Sequence, residues 1–485
     1  MGATALNADV HDHGSLDGVG STDLVETFNH LRAAYLREPF PSWEVRKAHL
    51  KTLRALILNN RDELADAISA DFGSRSRQEI ELSEIFLLKE EIDSALKHGA
   101  GWMRAQRRAV NKWLLPARAL VMPQPLGVIG IVAPWNYPVQ LALGPLICAL
   151  TAGNRALIKT SELTPRTSRL LERLVAENFD HDHVRVINGD ASVGAAFTSL
   201  PFDHLLFTGS TKVGYQVMRA AAENLTPVTL ELGGKAPAII GPNARFDYAV
   251  DSLLIGKTLN AGQTCVAPDY VLVPRGREHE FIERARQAFG RMYPDLQRNR
   301  DYTSIVSPRH FSRLQQLASG AQAQGATLHP LSETSADVER RRFPLTVVTG
   351  APDDSALMQE EIFGPLLPLV PYDTLDQAIE YINARPRPLA LYLYEQNRPA
   401  IERVLRETIA GGVAINDSLV HLACEDLPFG GVGASGMGAY HGYEGFRTFS
   451  LMKPVFRQTR FNARNWLSPP YGRRFAALMK VMLKF

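Results

Sequence analysis

Cysteine is scarce in this sequence, because its 485 residues include only Cys148, Cys265 and Cys424. Three cysteines far apart in sequence do not make a disulfide framework, which predicts a protein of the reducing cytoplasm. An excess of charge of one sign is also missing, since 53 basic and 51 acidic side chains leave a formal net charge of +2. This balance argues against nucleic acid or another polyanion as a partner.

Long apolar runs are absent as well. No run reaches the ~18 residues that a membrane span requires, so no span is predicted. Residues 1–22 are rich in Gly, Asp, Ala and His and lack an apolar core, which excludes a secretory signal and predicts a mobile leader. Residues 471–485 have the pattern of a basic amphipathic helix. For this helix, docking on the protein itself or on a dimer partner is favoured over contact with a membrane surface.

The length and the order of the apolar patterns predict more than one domain. Residues 23–108 have apolar residues three and four apart, as helices do, and residues 126–232 alternate strand-like and helical patterns. Unbroken apolar strands such as residues 127–133 indicate a parallel sheet buried on both faces. These stretches therefore predict a doubly wound, Rossmann-like domain with a ligand site at the carboxyl ends of its strands, and residues 233–434 predict a second α/β domain.

Two further segments are interpreted as oligomerisation elements. Residues 109–125 alternate apolar residues with Pro116, Pro123 and Pro125, which indicates a hairpin at an edge where subunits pair. Residues 435–485 begin rich in glycine and end basic, and they are assigned to a C-terminal oligomerisation and tail segment.

Two glycine-rich stretches are candidates for binding phosphate. Residues 209–214 (GSTKVG) follow a strand and open a helix, which fits a capped helix start and a phosphate site equally well. Residues 431–436 (GVGASG) match the dinucleotide pattern by letter but follow no buried strand, so a close-packed glycine turn is favoured. Lys159 and Glu162 follow another strand of the same sheet and could be a solvated helix start or partners for a ribose diol.

Cys265 and Glu231 are the strongest candidates for chemistry. Cys265 follows a small-residue turn that could expose a thiol, although a cysteine alone is more often a buried small hydrophobe. Glu231 lies between an apolar strand and two glycines, where a carboxylate is costly unless it has a function. Asn136 lies between two prolines at the end of a strand and could donate its amide to an oxyanion.

Six motifs follow one another along the chain, and each is weak alone. They are residues 134–138 (PWNYP), 207–210 (FTGS), 230–235 (LELGGK), 262–265 (GQTC), 360–365 (EEIFGP) and 428–431 (PFGG). Through them the sequence resembles the aldehyde dehydrogenase superfamily from about residue 37 to the C-terminus. Residues 264–270 (TCVAPDY) and 436–442 (GMGAYHG) are similar to the class 3 branch, and within it to coniferyl-aldehyde dehydrogenases.

The resemblance implies an aldehyde dehydrogenase-like α/β fold with a small β oligomerisation element, and it implies a division of labour. Cys265 would attack the aldehyde carbon, and Asn136 with the Cys265 backbone N–H would stabilise the oxyanion. Glu231 would activate the water that hydrolyses the thioester. The substrate would be an aromatic aldehyde such as coniferyl aldehyde, or a medium-chain aliphatic one.

The resemblance also implies a cofactor site, a homodimer and no metal. The cofactor-binding residues would be Trp135, Lys159, Glu162, Gly209, Ser210, Gly214, Leu232, Glu361 and Phe363. A carboxylate at Glu162 would repel a 2′-phosphate, so NAD is expected to be preferred, with NADP possible. Tyr137, Trp135, His421 and Leu422 could be walls of the substrate pocket or plain packing residues.

Two alternatives to aldehyde oxidation with hydrolysis were considered. A CoA-acylating relative would not need the water-activating Glu231, and a catalytically silent binding protein would need neither Glu231 nor Cys265. Since both residues are present, hydrolytic aldehyde oxidation is the favoured prediction.

Overall fold

The computed structural model describes residues 21–460, 462 and 467–484. The leader predicted over residues 1–22 lies outside the described residues, except that residues 21 and 22 begin the first helix, α1 (Ser21–Arg37).

Among the described residues, six strands form the first sheet, and its first five strands in the chain are parallel. In spatial order they are β15 (Gly436–Met437), β7 (Val228–Leu232), β6 (His204–Gly209), β3 (Val128–Val132), β4 (Arg155–Lys159) and β5 (Val184–Ile187). In β3, Ile129 and Ile131 point into one buried cluster and Val128 into another. Burial on both faces explains the unbroken apolar run and confirms the predicted Rossmann-type sheet.

Helices cover both faces of this sheet. They are α2 (Trp43–Asn59), α3 (Arg61–Phe72), α4 (Arg77–Ile80), α5 (Leu87–Trp102), α6 (Gln140–Ala152), α7 (Pro165–Asn178), α8 (Ala191–Thr198) and α9 (Thr211–Ala222). Helices α2, α3, α5, α6 and α7 contribute to one apolar cluster, and α1, α8 and α9 contribute to the other. One wide π-helical turn (Glu81–Phe86) joins α4 to α5.

Within the described part of the chain, seven strands form the second sheet, which is parallel except for its first strand. In spatial order they are β10 (Thr327–Pro330), β11 (Thr346–Thr349), β12 (Leu366–Tyr372), β9 (Tyr270–Pro274), β8 (Pro237–Ile240), β13 (Ala390–Tyr394) and β14 (Gly412–Ile415). Its helices are α10 (Phe246–Thr258), α11 (Glu278–Met292), α12 (Pro308–Ala323), α13 (Ala356–Gln359), α14 (Leu375–Asn383) and α15 (Arg398–Glu407). This is the second α/β unit that the sequence predicts.

The predicted hairpin over residues 109–125 is part of a small antiparallel sheet instead. Its central strand β2 (Arg118–Pro125) pairs with β1 (Gln106–Arg108) on one side and with β16 (Ser450–Arg457) on the other. The eight-residue register between β2 and β16 joins segments more than 300 positions apart, which a local hairpin pattern does not reveal.

The C-terminal segment also differs from its predicted assignment. Strand β15 extends the first sheet by pairing with β7, and helix α16 (Gly442–Thr448) places Phe446 in the core under α5 and α6. Residues 436–449 thus complete the first α/β unit and do not form a tail. The last helix, α17 (Arg473–Met482), has no buried side chain. None of the described helices combines the length and the apolar composition that crossing a membrane requires.

Candidate active site

Cys265 follows a tight loop at the end of α10. Asn260, Ala261 and Gly262 all have left-handed backbone angles, with φ of 51°, 51° and 76°. A Cβ at Gly262 would lie 2.6 Å from the Gly364 carbonyl oxygen, so only glycine fits there. Left-handed non-glycine residues are strained and cluster at functional sites. The loop leaves the Cys265 side chain partly exposed at the edge of the second core.

Gln263 fixes the shape of this loop. Its side-chain nitrogen donates to the carbonyl oxygens of Asn260 (3.0 Å) and Ser304 (3.1 Å), and its side-chain oxygen accepts from the Val306 N–H (2.9 Å). The side chain is fully buried, so its three hydrogen bonds set the position of the next two residues. The sequence motif contains Gln263, but two of its three partners, Ser304 and Val306, lie 41 and 43 positions away and could not be predicted.

Asn136 is brought against the same loop, as predicted. Its side-chain amide donates to the Gln263 carbonyl oxygen (3.2 Å), and its own carbonyl oxygen accepts from the Asn260 side chain (3.0 Å). The next residue, Tyr137, shares a hydrogen bond of 2.7 Å with the Thr264 hydroxyl. An amide held beside the residues that precede Cys265 can donate to an oxyanion formed at that cysteine.

A buried ion pair supports Asn136 from behind. Arg75 and Glu84 have fully buried side chains and are 2.7 Å apart. Arg75 also donates to the Asn136 carbonyl oxygen (3.0 Å), and Glu84 accepts from the backbone N–H groups of Val139 (2.8 Å) and Gln140 (3.2 Å) at the start of α6. The carboxylate caps the positive end of that helix. Sequence reasoning assigned no chemistry to residues 23–108 and missed this support.

Replacing Glu84 by alanine is expected to lower the free energy of unfolding by about 3–5 kcal/mol, because Arg75 would be a buried charge without its partner. The matched control is Glu81→Ala in the same π-helical turn, where the side chain is exposed and the expected loss is below ~0.5 kcal/mol. Urea denaturation followed by fluorescence measures both. Equal losses in the two variants would contradict the assigned role.

Glu231 lies on β7 beside the nucleophile loop, and its carboxyl group is buried. The residue is 2% exposed, and neither carboxylate oxygen has a hydrogen-bond partner within the described chain. Burial raises the pKa of Glu231 well above its ordinary value. A carboxyl group with free oxygens and a raised pKa is suited to take a proton from water near neutral pH.

The Cys265 thiol lies in the field of two carboxyl groups. Burial, followed by the charges of Glu361 and Glu231, raises the pKa of Cys265 to about 12. The structure therefore brings together the thiol and the two acidic residues that the resemblance assigned to catalysis and to cofactor binding. Both neighbours disfavour the thiolate, so a positive charge in the cleft would be needed to lower the thiol pKa.

The diphosphate side of the predicted cofactor site is the start of α9. Gly209 ends β6 beside Leu232 of β7, and Ser210 caps α9 by accepting from the Val213 N–H (3.4 Å). A Cβ at Gly214 would lie 2.7 Å from the Leu232 side chain, so this glycine lets α9 pack close to the sheet. An exposed helix start that follows a parallel strand is a suitable place for a diphosphate.

The ribose side of that site contains Lys159 and Glu162. Lys159 is 3% exposed, its ammonium donates to the Thr160 carbonyl oxygen (2.6 Å), and burial lowers its pKa. The exposed Glu162 carboxylate is 4.0 Å from this ammonium. The two residues form a cation and a carboxylate at the carboxyl end of β4, as the ribose interpretation requires.

The nicotinamide side contains Glu361, Phe363 and Trp135. The Glu361 carboxylate accepts from the Gly234 N–H, but one of its oxygens has no partner in the described part of the chain. Burial, followed by the negative charge of Asp269, raises the pKa of Glu361 to about 8. Phe363 has a left-handed backbone (φ 52°), and its ring lies edge-on to Trp135 at 5.3 Å. An orphaned carboxylate oxygen beside two aromatic rings fits a ribose and a nicotinamide ring.

Lys235 and Asp269 hold the segment that carries Glu361. Lys235 donates to Asp269 (2.5 Å) and to the carbonyl oxygens of Leu357 and Glu360, while Asp269 accepts from the Ile362 N–H (3.1 Å). Both side chains are within recognised motifs, but their positioning role depends on contacts 93 to 125 positions away and was not predicted.

The glycine pattern of residues 431–436 has a packing role, as favoured from the sequence. A Cβ at Gly431 would overlap the Ser435 carbonyl oxygen, and one at Gly436 would overlap the Leu230 carbonyl oxygen. These glycines let β15 approach β7 next to Glu231.

Comparison with known proteins is consistent with this geometry. Residues 28–455 match the model of the aldehyde dehydrogenase family. The chain is 51% identical over 456 residues to a probable coniferyl aldehyde dehydrogenase of Pseudomonas aeruginosa, covering 94% of this chain and 95% of the relative. It is 44% identical to a coniferyl aldehyde dehydrogenase of another Pseudomonas, covering 96% and 97%. A substrate-bound structure of Staphylococcus aureus AldH superposes with a TM-score of 0.90 at 38% identity, covering 95% and 99%.

Proposed function

Because the chain belongs to the aldehyde dehydrogenase family, we propose that this NAD(P)-dependent enzyme oxidises coniferyl aldehyde and related aromatic aldehydes to their carboxylic acids. The observation that carries the proposal is the meeting of Cys265, Glu231 and Glu361 beside the buried Asn136 amide. The names of the two Pseudomonas relatives support the choice of substrate.

In the first half of the proposed reaction, the Cys265 thiol loses its proton to solvent, and the thiolate sulfur attacks the aldehyde carbon and forms a C–S bond as the carbonyl π bond opens. The carbonyl oxygen becomes an oxyanion, which the Asn136 side-chain amide and the Cys265 backbone N–H stabilise. When bound, a nicotinamide cofactor would supply the hydride acceptor for oxidation to the thioester. Glu361 and Lys159 would hold its ribose hydroxyls, and Phe363 and Trp135, whose rings lie edge-on to each other, would line the nicotinamide side.

In the second half, Glu231 takes a proton from a water molecule as the water oxygen bonds to the thioester carbon. The C–S bond then breaks, the carboxylic acid leaves, and the proton held by Glu231 passes to the departing sulfur, which restores the thiol and the Glu231 carboxylate. Glu231 can hold this proton because its carboxylate oxygens have no competing partner in the described chain.

We also propose that two copies pair through the β1–β2–β16 sheet, whose outer strand exposes Leu451 and Phe456.

The test is a cofactor-reduction assay with coniferyl aldehyde, benzaldehyde and hexanal, each with and without CoA. The proposal expects the highest kcat/KM for coniferyl aldehyde, free acid as product and no dependence on CoA. A CoA-dependent reaction would overturn the hydrolytic half, and turnover of hexanal alone would overturn the substrate class.

We further propose that Glu162 makes the enzyme prefer NAD. Its exposed carboxylate lies 4.0 Å from Lys159, where it accepts from a free 2′-hydroxyl and repels a 2′-phosphate. Glu162→Gln is therefore expected to raise the kcat/KM ratio of NADP to NAD by about tenfold, or ~1.4 kcal/mol. Glu177→Gln, a change at another exposed carboxylate, is the control and should leave the ratio unchanged. An unchanged ratio in Glu162→Gln would contradict the assignment.

A further inference from the structure

Two histidines close to the nucleophile have unpaired ring nitrogens. His441 is 5% exposed, and its Nδ1 has no hydrogen-bond partner among the residues that the structure describes. The same holds for both ring nitrogens of the half-buried His421. An unpaired buried donor or acceptor costs about 1–3 kcal/mol. Such groups in a folded protein therefore indicate an occupant that pairs with them.

Each of the two histidines contacts a buried tyrosine that is close enough to Cys265 to interact with it electrostatically. The His441 ring stacks on Phe429 at 5.2 Å and meets Tyr440 edge-on at 4.6 Å. The His421 ring lies edge-on to Tyr392 at 6.0 Å. The Tyr392 hydroxyl donates to the carbonyl oxygen of Val266, the residue after Cys265 (2.5 Å). Each histidine is thus linked to the surroundings of the nucleophile through one tyrosine side chain.

Both imidazoles are neutral at neutral pH. Burial lowers the pKa of His421, and burial together with repulsion from His421 lowers the pKa of His441 to about 4. A neutral imidazole has one N–H donor and one acceptor nitrogen. The pair thus matches a hydroxyl group, which both donates and accepts, better than a charged carboxylate or phosphate.

The remaining surroundings are apolar and aromatic. Leu419, Leu422 and Phe429 are partly buried against the same core as Cys265. A cleft with apolar walls and few polar groups binds a flat, mostly apolar molecule and orients it by its polar atoms. An aromatic ring between these walls would place its ring substituents at the histidines.

We propose that His421 and His441 bind the ring hydroxyl or methoxy oxygen of a hydroxylated aromatic aldehyde whose carbonyl lies at Cys265. The inference deepens the proposed function and rests on it. It makes the two histidines the residues that separate coniferyl aldehyde from cinnamaldehyde, which has the same skeleton without ring oxygens.

The experiment compares kcat/KM for coniferyl aldehyde and cinnamaldehyde in His421→Phe and His441→Phe, which keep an aromatic ring and remove the polar nitrogens. In the wild type, kcat/KM for coniferyl aldehyde is expected to exceed kcat/KM for cinnamaldehyde by more than about tenfold. Each variant should lower this ratio by ~10-fold or more, because only kcat/KM for coniferyl aldehyde falls. His421→Gln keeps a hydrogen-bond donor and an acceptor, so this variant should retain part of the preference for coniferyl aldehyde over cinnamaldehyde. The matched control is His204→Phe, a change at another buried histidine whose ring nitrogen pairs with Thr229; the ratio should not change.

Binding of both aldehydes to Cys265→Ala enzyme, with and without the histidine changes, gives a second measure that needs no turnover. Weaker binding of coniferyl aldehyde only, in the histidine variants, supports the inference. An unchanged ratio, or equal loss on both aldehydes, overturns it. Absence of turnover with every aldehyde in the wild type would overturn the proposed function instead, while the binding comparison would still decide the role of the histidines.

Discussion

Cys265→Ala enzyme is expected to lose at least ~10⁴-fold in kcat for every aldehyde, as enzymes do when a covalent nucleophile is removed. The partly exposed thiol of Cys265 is the proposed nucleophile, and the Asn136 amide and the Glu231 carboxyl group lie near its loop. Without its sulfur, neither thiohemiacetal nor thioester can form. The measurement is the steady-state rate of cofactor reduction over a range of coniferyl aldehyde concentrations.

Cofactor binding should survive this change. The predicted cofactor contacts lie at α9, Lys159, Glu162 and Glu361, and none of them depends on the sulfur. Titration with NAD should therefore give a Kd within about twofold of the wild type. Cys424→Ala, which removes an exposed thiol, is the matched control and should keep full activity. Loss of NAD binding in Cys265→Ala would show that the residue has a structural role and that the nucleophile is elsewhere.

Glu231→Gln enzyme is expected to accumulate a thioester on Cys265. The variant keeps the size of the side chain but cannot accept a proton from water, so hydrolysis should slow by ~10²–10⁴-fold while acylation continues. A burst of cofactor reduction followed by a slow steady rate is the kinetic sign. Mass spectrometry of acid-quenched enzyme should find the acyl group on the peptide that contains Cys265.

The pH dependence of hydrolysis gives a second readout for Glu231. Burial raises its pKa, and below that pKa the carboxyl group is protonated and cannot act as a base. Wild-type hydrolysis should therefore speed up as pH rises through the raised pKa, and the rate of Glu231→Gln should lack this rise. Glu223→Gln, a change at an exposed carboxylate, is the control. A steady-state rate equal to the wild type in Glu231→Gln would exclude the proposed role.

Much of the fold and of the centre of the site could be predicted from the sequence. Unbroken apolar strands and alternating helical patterns gave the two α/β units, and the family match confirms the resemblance that the six motifs suggested. Family 3 aldehyde dehydrogenases are among the further relatives, which confirms the predicted branch. Motifs carry this information because a nucleophile, a base and glycine turns each need a fixed residue type at a fixed local spacing.

The supporting residues could not be predicted, because their partners are distant in sequence. Arg75 contacts Asn136 across 61 positions, and Lys235 contacts Glu360 across 125. A buried arginine and an exposed one have the same local pattern. The domain boundary predicted at residue 435 differs from the strand pairing for a similar reason. Strand β15, which is near the C-terminus, pairs with β7 and so belongs to the first sheet.

The placement of Cys265 between two carboxyl groups also affects the enzyme between turnovers. Only a thiolate reacts quickly with peroxides and alkylating agents, and the raised pKa of Cys265 favours the protonated thiol as long as no positive charge occupies the cleft. The resting enzyme should therefore resist oxidative inactivation. Coniferyl aldehyde, the proposed substrate, contains a conjugated double bond that can alkylate a thiolate, so a protonated thiol should also resist alkylation by this aldehyde.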